Sequence, residues 1–149
     1  MPLRSRIQED MKAAMRAGDK PRLGTLRMLW AAVCQREVDE RAGELDDAAV
    51  IAVVEKAVKQ RREAADQYRE AGRAELADKE QAELEVLREY LPQPLDESQL
   101  AALVEEAVRE TGAASMKDMG KVMATLRARV QGRADMADVS ARVKSRLAG

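Results

Sequence analysis

The amino-acid sequence predicts an all-α protein, and three observations lead to that prediction. Apolar residues recur every three or four positions along most of the chain, which is the period of a helix with one buried face. Phenylalanine is absent, so the core must come mainly from Leu, Val, Ala and Met, a composition that favours helices. No segment alternates apolar and polar residues in the manner of a half-buried strand. With 149 residues, the chain is long enough for one domain or two small ones.

The first two helices are marked by their ends. An apolar residue at every fourth position predicts a first helix that stops at Gly18, because glycine is favoured just past a helix end. Asp19 is a good capping residue, and Pro21 fits the first turn of a helix. A second helix is therefore expected over residues 20–41.

Two further helices complete the first part of the chain. Asp46 as a cap predicts a long third helix that ends near Gly72, and the fourth is expected from Arg73 to Tyr90. The sequence YLPQPL follows, and its two prolines break the helical pattern. We therefore expect an N-terminal helical domain of about four helices over residues 1–92.

A small three-helix domain is expected over residues 93–149. Asp96 begins its first helix as part of a capping box. Ser115 is expected to cap the next helix, over residues 116–130, and Asp135 to cap the last.

The cysteine count and the start of the chain bear on the compartment. Cys34 is the only cysteine and no histidine is present, so neither an internal disulfide nor a zinc site of Cys and His can form. The first twenty residues contain no continuous apolar run, which argues against a signal peptide or a membrane anchor. These features predict a cytoplasmic protein that does not enter a membrane.

The residues of common catalytic sites are missing. Without histidine there is no Ser-His-Asp or Cys-His set, and no glycine-rich phosphate loop occurs. Carboxylates such as Glu80, Glu83, Glu85 and Glu89 would suit a divalent metal, but charge runs on helices are usually solvated faces. We therefore expect no catalytic residues, no cofactor and no metal, and an enzyme acting alone is not expected.

Opposite charges are separated along the chain, although the formal net charge is only −1. From Arg69 to Glu110 there are five basic and twelve acidic residues. From Thr111 to Gly149 there are eight basic and three acidic residues, so the chain ends in a basic pair of helices. A second basic cluster, KAVKQRR over residues 56–62, is interpreted as a solvated face.

The predicted helix over residues 116–130 has a basic face. Its apolar residues are expected to share the buried face: Met116, Met119, Met123, Leu126 and Val130. Lys117 and Lys121 lie opposite, with Gly120 at the edge. A glycine inside a helix costs about 0.5–1 kcal/mol relative to alanine. Two explanations fit this pattern. Either the missing side chain lets a phosphate-ribose backbone approach, or it lets a neighbouring helix pack closely and the lysines serve only to keep the surface soluble.

Four blocks of the sequence resemble one protein family over essentially the whole chain. They are RLGTLRMLWAAVCQREVD, KQRREAADQYREAGRAEL, EYLPQPL and TGAASMKDMGKVMATLRARVQGRADMADVSARVKSRL. By the order and spacing of these blocks, the chain resembles the YqeY family. Members of that family are similar to the helical tail of the B subunit of the bacterial glutamyl-tRNA(Gln) and aspartyl-tRNA(Asn) amidotransferase. A related module is appended to some glutaminyl-tRNA synthetases.

The resemblance implies a link to tRNA. The tail of those enzymes is noncatalytic and helps hold tRNA, so the resemblance implies a bacterial, noncatalytic tRNA-binding or accessory protein. Its expected partners are tRNA and an aminoacyl-tRNA synthetase or amidotransferase, and the oligomeric state is left open. The family-level label, carbon-nitrogen ligase with glutamine as amido-N-donor, describes the larger enzyme. This chain lacks the serine-lysine amidase machinery and the kinase-like pocket that such a reaction requires.

The family signature places the expected RNA-facing residues in and just after the sixth predicted helix. The signature reads Gly120-Lys121-x-Met123 followed by Gly132-Arg133-Ala134-Asp135. Together with the basic face it gives the expected RNA-binding set: Lys117, Gly120, Lys121, Arg127, Gly132 and Arg133. No set of aromatic residues is available for base stacking, so phosphate contacts with strong salt dependence are expected.

Two other functions remain open on the sequence. In the first, the acidic region from Arg69 to Glu110 docks a basic partner protein while the terminal helices pack internally. In the second, the chain is an amidotransferase component that carries catalytic carboxylates, which the lack of histidine and of a paired nucleophile disfavours.

Overall fold

The fold is entirely helical, which confirms the predicted class. The computed structural model describes residues 1–149 and contains seven α-helices and no strand. The helices are α1 (Leu3–Ala17), α2 (Lys20–Glu40), α3 (Asp47–Glu70), α4 (Ala74–Arg88), α5 (Glu97–Thr111), α6 (Met119–Val130) and α7 (Met136–Ala148). A short 3₁₀ turn, Met116–Asp118, precedes α6.

The chain divides into two compact units at the proline segment. Unit 1 is Met1–Leu91 and contains α1 to α4, and unit 2 is Pro92–Gly149 and contains α5 to α7. That these units are independent domains, over residues 1–92 and 93–149, stays a prediction.

Capping residues stabilise the starts of α2, α3 and α5 and the ends of α1 and α5. The carboxylates of Asp19, Asp46 and Asp96 accept hydrogen bonds from first-turn backbone N–H groups of α2, α3 and α5. These N–H groups have no partner inside the helix, so the caps stabilise each start. Gly18 and Gly112 end α1 and α5 with φ of 69° and 66°, a conformation that other residues rarely adopt.

Aliphatic side chains from all four helices form the core of unit 1. Its fully buried members include Ile7 of α1, Val54 of α3 and Leu84 of α4. Met15 continues the apolar spacing of every fourth residue that predicts the first helix, but it is 58% exposed. The adjacent Ala14 takes the buried position, because the core face of α1 is turned toward it.

A half-buried ion pair joins α1 to α2 and to the loop after α2. Arg4 donates to the Glu37 carboxylate at 2.7 and 3.1 Å, and its guanidinium lies 4.8 Å over the ring of Trp30. Glu37 also accepts a hydrogen bond from the backbone N–H of Leu45 at 2.9 Å. The bond from Arg4, followed by the bond from Leu45, lowers the pKa of Glu37. The loop held in this way begins at Arg41, whose φ is 54°.

The residues that follow α4 connect its end to α1 and α2 through hydrogen bonds and an ion pair. The hydroxyl of Tyr90, which is 1% exposed, donates to Asp10 at 2.5 Å. Burial, and then this bond, raises the pKa of the Tyr90 hydroxyl. Glu89 binds the guanidinium of Arg22 at 2.6 Å, and its carbonyl accepts from Arg6 at 3.0 Å. Glu89 and Tyr90, the first two residues of EYLPQPL, therefore hold the end of unit 1 in place before the prolines.

Replacing Tyr90 with Phe is expected to lower the free energy of unfolding by about 1–2 kcal/mol, because a buried hydrogen bond to a carboxylate is lost while the ring volume stays. Urea unfolding followed by circular dichroism measures the change. Tyr68→Phe is the matched control, since Tyr68 is half-buried and its hydroxyl makes no hydrogen bond. Equal stability of the two variants would show that the Tyr90 bond contributes nothing.

Unit 2 is built around a core without any aromatic side chain. Val104 of α5, Leu126 of α6 and Val143 of α7 are among its buried residues. The backbone N–H of Leu95 donates to the carbonyl of Arg133 at 2.9 Å, which holds the segment before α5 to the turn after α6.

Candidate nucleic-acid interface

The side of α6 away from the core of unit 2 is basic and low in relief. Val122, Leu126 and Val130 are fully buried on one side of the helix. The exposed residues on the other side, together called the α6 face, are Lys117, Gly120, Lys121, Ala124, Arg127 and Ala128. The predicted basic face is therefore exposed, although Val122 was not recognised as a core residue.

The cations of the α6 face are largely free of internal partners. Lys117 and Arg127 make no hydrogen bond or ion pair through their side chains. Lys121 is 70% exposed, and its Nζ lies 4.0 Å from Asp118. An exposed pair at that distance contributes little, so all three cations can reach a ligand.

The α6 face begins in a tighter turn than the sequence predicted. Residues Met116–Asp118 form a 3₁₀ turn and not the first turn of the α-helix. The Asp118 carboxylate accepts from the backbone N–H groups of Ala114 at 2.9 Å and Ser115 at 3.3 Å, and these bonds, in that order, lower the pKa of Asp118. Because the tighter turn changes the direction of its side chains, Met116 is 40% exposed and does not lie on the buried face.

Gly120 does not serve a contact between helices of this chain. It is exposed, and a Cβ atom added to it would have no other atom within 4 Å. The explanation that this glycine lets a neighbouring helix pack closely therefore finds no support within the chain. Close approach of a ligand at this position stays a prediction.

Gly132 and Arg133 lie in the turn after α6. Gly132 is buried and has a φ of 74°, so it shapes this turn. Arg133 is half-buried and donates through Nε to the carbonyl of Gln93 at 3.0 Å. The structure thus places four of the six expected residues on the α6 face and two in the turn beyond it. That any of the six contacts RNA stays a prediction.

Ion pairs inside unit 2 use part of the basic charge near the C-terminus. Arg129 binds Glu110 at 2.6 Å and lies 3.5 Å from Glu106. Arg146 pairs with Glu105. Acidic residues of α5 therefore neutralise basic residues of α6 and α7, and less positive charge is left for a ligand than the sequence count indicates.

Carboxylates of the acidic region also have internal partners. Glu83 pairs with Arg61 at 3.3 Å, and both side chains are largely buried. Glu85 lies 3.6 Å from Arg88, and Glu89 is bound to Arg22. These contacts give the carboxylates a structural role, and no observation specifically favours a basic protein partner at this region.

Two further properties concern sites of other kinds. None of the helices is both long enough and apolar enough to span a membrane. No group of three or more Cys, Asp or Glu side chains is arranged to hold a metal ion.

Comparison with known proteins identifies the family. Residues 4–147 match the sequence profile described as Yqey-like protein. The chain belongs to the YqeY family. This YqeY chain is 33% identical over 129 residues to Altered inheritance of mitochondria protein 41, mitochondrial, of Pyrenophora tritici-repentis, an alignment that covers 83% of the chain and 71% of that protein. The protein of the same name from Eremothecium gossypii is 36% identical over 85 residues, which are 57% of the chain and 46% of that relative. The YqeY chain thus aligns with less than half of the second relative's length.

The names of these relatives correct one prediction about this YqeY chain. Both relatives are called mitochondrial and both are fungal. The predicted cytoplasmic location is therefore wrong, since the names point to mitochondria, and the expected bacterial source has no support. The prediction rested on the lack of a continuous apolar run, which does not argue against a mitochondrial location because mitochondrial targeting segments in general are amphipathic and basic.

Gly120→Ala is expected to raise the free energy of unfolding by about 0.5–1 kcal/mol, because the new methyl group meets no other atom and alanine favours the helix. Urea unfolding of the intact chain measures the difference. Gly132→Ala is the contrasting control and should be destabilising, since φ at that position is positive. A loss of stability in Gly120→Ala would mean that this glycine has a packing role after all.

Proposed function

We propose that the chain is a noncatalytic tRNA-binding accessory protein of tRNA-dependent amidation or aminoacylation, and that it binds the tRNA backbone through the α6 face. The observation that carries the proposal is a flat, exposed helix surface that combines unpaired cations with a glycine not needed for packing. Lys117 and Arg127 have no internal partner, and Gly120 has no neighbour that would exclude a side chain.

The dimensions of the α6 face suit a phosphodiester backbone. Lys121 and Arg127 are six residues apart, about 9 Å along the helix axis and about 120° around it, so a backbone that contacts both must cross the helix obliquely. Ala124 and Ala128 lie on the same side and keep the surface low, so a ribose-phosphate chain can pass close to the helix. Lysine and arginine then form charge-assisted hydrogen bonds to phosphate oxygens.

The composition of unit 2 supports recognition of the backbone over recognition of bases. Residues 92–149 contain no Trp, Tyr or Phe, so no aromatic ring is available for a splayed base to stack upon. Binding would depend on phosphate contacts and on RNA shape, and the affinity would fall steeply with salt.

Support for tRNA as the ligand comes from family membership. YqeY members are similar to the helical tail of the amidotransferase B subunit, which helps hold tRNA. The carbon-nitrogen ligase label would then belong to a partner enzyme, because this chain offers no nucleophile paired with a base. An amidotransferase or an aminoacyl-tRNA synthetase is the partner that this function implies.

The test is a salt titration of binding to bulk tRNA with the intact chain and with a Lys121→Glu, Arg127→Glu variant. We expect the variant to bind more weakly, and the slope of log affinity against log salt to become shallower by about 2, because each cation that meets a phosphate adds about one to the slope. Arg133 is left unchanged because it holds the carbonyl of Gln93.

Lys56→Glu, Lys59→Glu is the matched control, since both lysines are exposed on α3, make no ion pair and give the same change in net charge. The control should retain the slope of the intact chain. Equal losses in both variants would assign the effect to net charge and not to the α6 face. Absence of tRNA binding by the intact chain at low salt would refute the proposed function.

A further inference from the structure

We propose that the outward side of α2, in unit 1, is a second surface for the phosphodiester backbone of RNA. This surface, the α2 face, consists of Lys20, Gly24, Arg27, Met28 and Ala31, all of which are exposed. That its ligand is RNA rests on the proposed function, whereas the surface itself is defined by its own charge and shape.

The charge pattern of α2 sets it apart from most of the chain. Residues 20–36 contain no acidic residue, although 27 of the 149 residues of the chain are acidic. The same segment contains four basic residues: Lys20, Arg22, Arg27 and Arg36. Residues 119–134, which include α6, likewise contain no acidic residue and four basic ones. The two segments therefore share a local charge that the net charge of the chain conceals.

Two of the four cations of α2 are used inside unit 1 and two are not. Arg22 is bound to Glu89, and Arg36 pairs with Glu40 at 2.7 Å and donates to a backbone carbonyl at 3.1 Å. Lys20 and Arg27 make no hydrogen bond or ion pair through their side chains. Contacts within unit 1 thus explain the presence of Arg22 and Arg36, whereas no contact in the chain explains the two exposed cations Lys20 and Arg27.

The two cations lie on one side of the helix with a glycine between them. Lys20 and Arg27 are seven residues apart, which is close to two turns and about 10 Å along the axis. Gly24 lies midway and is exposed, and a Cβ atom added to it would meet no atom within 4 Å. A repeating anion that contacts both cations can therefore pass directly over Gly24.

Packing does not explain Gly24, and neither does backbone conformation. Gly24 and Gly120 are the two glycines that lie inside helices; the others, apart from the C-terminal residue, have positive φ. Each of the two lowers the stability of its helix and relieves no clash. Both occur in segments without acidic residues and beside unpaired cations. The same chemistry, a flat cationic helix surface, is therefore present in each unit.

The test uses the intact chain, bulk tRNA as the probe and a Lys20→Glu, Arg27→Glu variant. The variant should bind tRNA more weakly, and its salt slope should be shallower by about 2 than that of the intact chain. Lys56→Glu, Lys59→Glu on α3 is again the matched control and should keep the slope of the intact chain. Circular dichroism and thermal unfolding establish that each variant is folded.

A second variant, Gly24→Leu, tests the close approach without changing charge. Leucine favours the helix and meets no atom at its Cβ position, so the midpoint of thermal unfolding should rise. Binding of tRNA should nevertheless weaken, with an unchanged salt slope, because the side chain obstructs the backbone but removes no phosphate contact. Binding as tight as that of the intact chain would refute the close approach at Gly24.

The outcomes separate this inference from the proposed function. If Lys20→Glu, Arg27→Glu binds tRNA as the control does while Lys121→Glu, Arg127→Glu binds weakly, the α2 face is not an RNA surface and the proposed function stands. If the intact chain binds no tRNA at low salt, both proposals fail. If the α2 variant and the α6 variant each lower the slope, both surfaces contact RNA.

Discussion

An almost purely aliphatic core is the constraint on which both units depend. Leu, Val and Ala side chains stabilise by burial, but burial has no direction and does not by itself fix how one helix is rotated or shifted against another. Polar contacts at the edges of the core fix the rotation and the shift of the helices against one another. In unit 1 they are Arg4 with Glu37, Arg61 with Glu83 and Tyr90 with Asp10, and in unit 2 they are Arg129 with Glu110 and Arg146 with Glu105. The contacts in unit 1 are largely buried, whereas the side chains of both pairs in unit 2 are 35–47% exposed and contribute little to net stability.

The helices could be predicted because each depends on local signals, namely an apolar period, a capping carboxylate at the start and a glycine at the end. Contacts between distant residues could not be predicted. Tyr90 and Asp10 are 80 residues apart, and no local pattern connects them. The 3₁₀ turn at Met116–Asp118 was missed for another reason: Ser115 and Asp118 give the same capping signal for a 3₁₀ turn as for an α-helix. Which of Ala14 and Met15 is buried depends on the neighbouring helices and not on α1 alone.

The residues of the candidate site also fall into two groups, those that local signals predict and those whose positions depend on distant residues. Exposure of the α6 face follows from the period of one helix, so Lys117 and Lys121 could be placed on it from the sequence. The positions of Gly132 and Arg133 depend on the turn and on Gln93, which is distant in sequence. The α2 face was not predicted although its signals are local, because Asp19 and Pro21, which predict the second helix, carry no information about its exposed side. The lack of acidic residues over 20–36, together with Gly24, would have identified it.

The loop after α2 depends on a single ionised carboxylate. Glu37 is the acceptor for both Arg4 and the backbone N–H of Leu45, so protonation of this one group weakens both contacts together. Because its pKa is lowered in the folded chain, the stabilisation is present above the pKa of an unfolded glutamate and is lost as the pH falls through the folded value. Because the pKa of Glu37 lies below that of an unfolded glutamate, its protonation requires a lower pH than protonation of carboxylates that have no such partners. The amide hydrogen of Leu45, whose acceptor is this carboxylate, would report that protonation by exchanging faster with solvent.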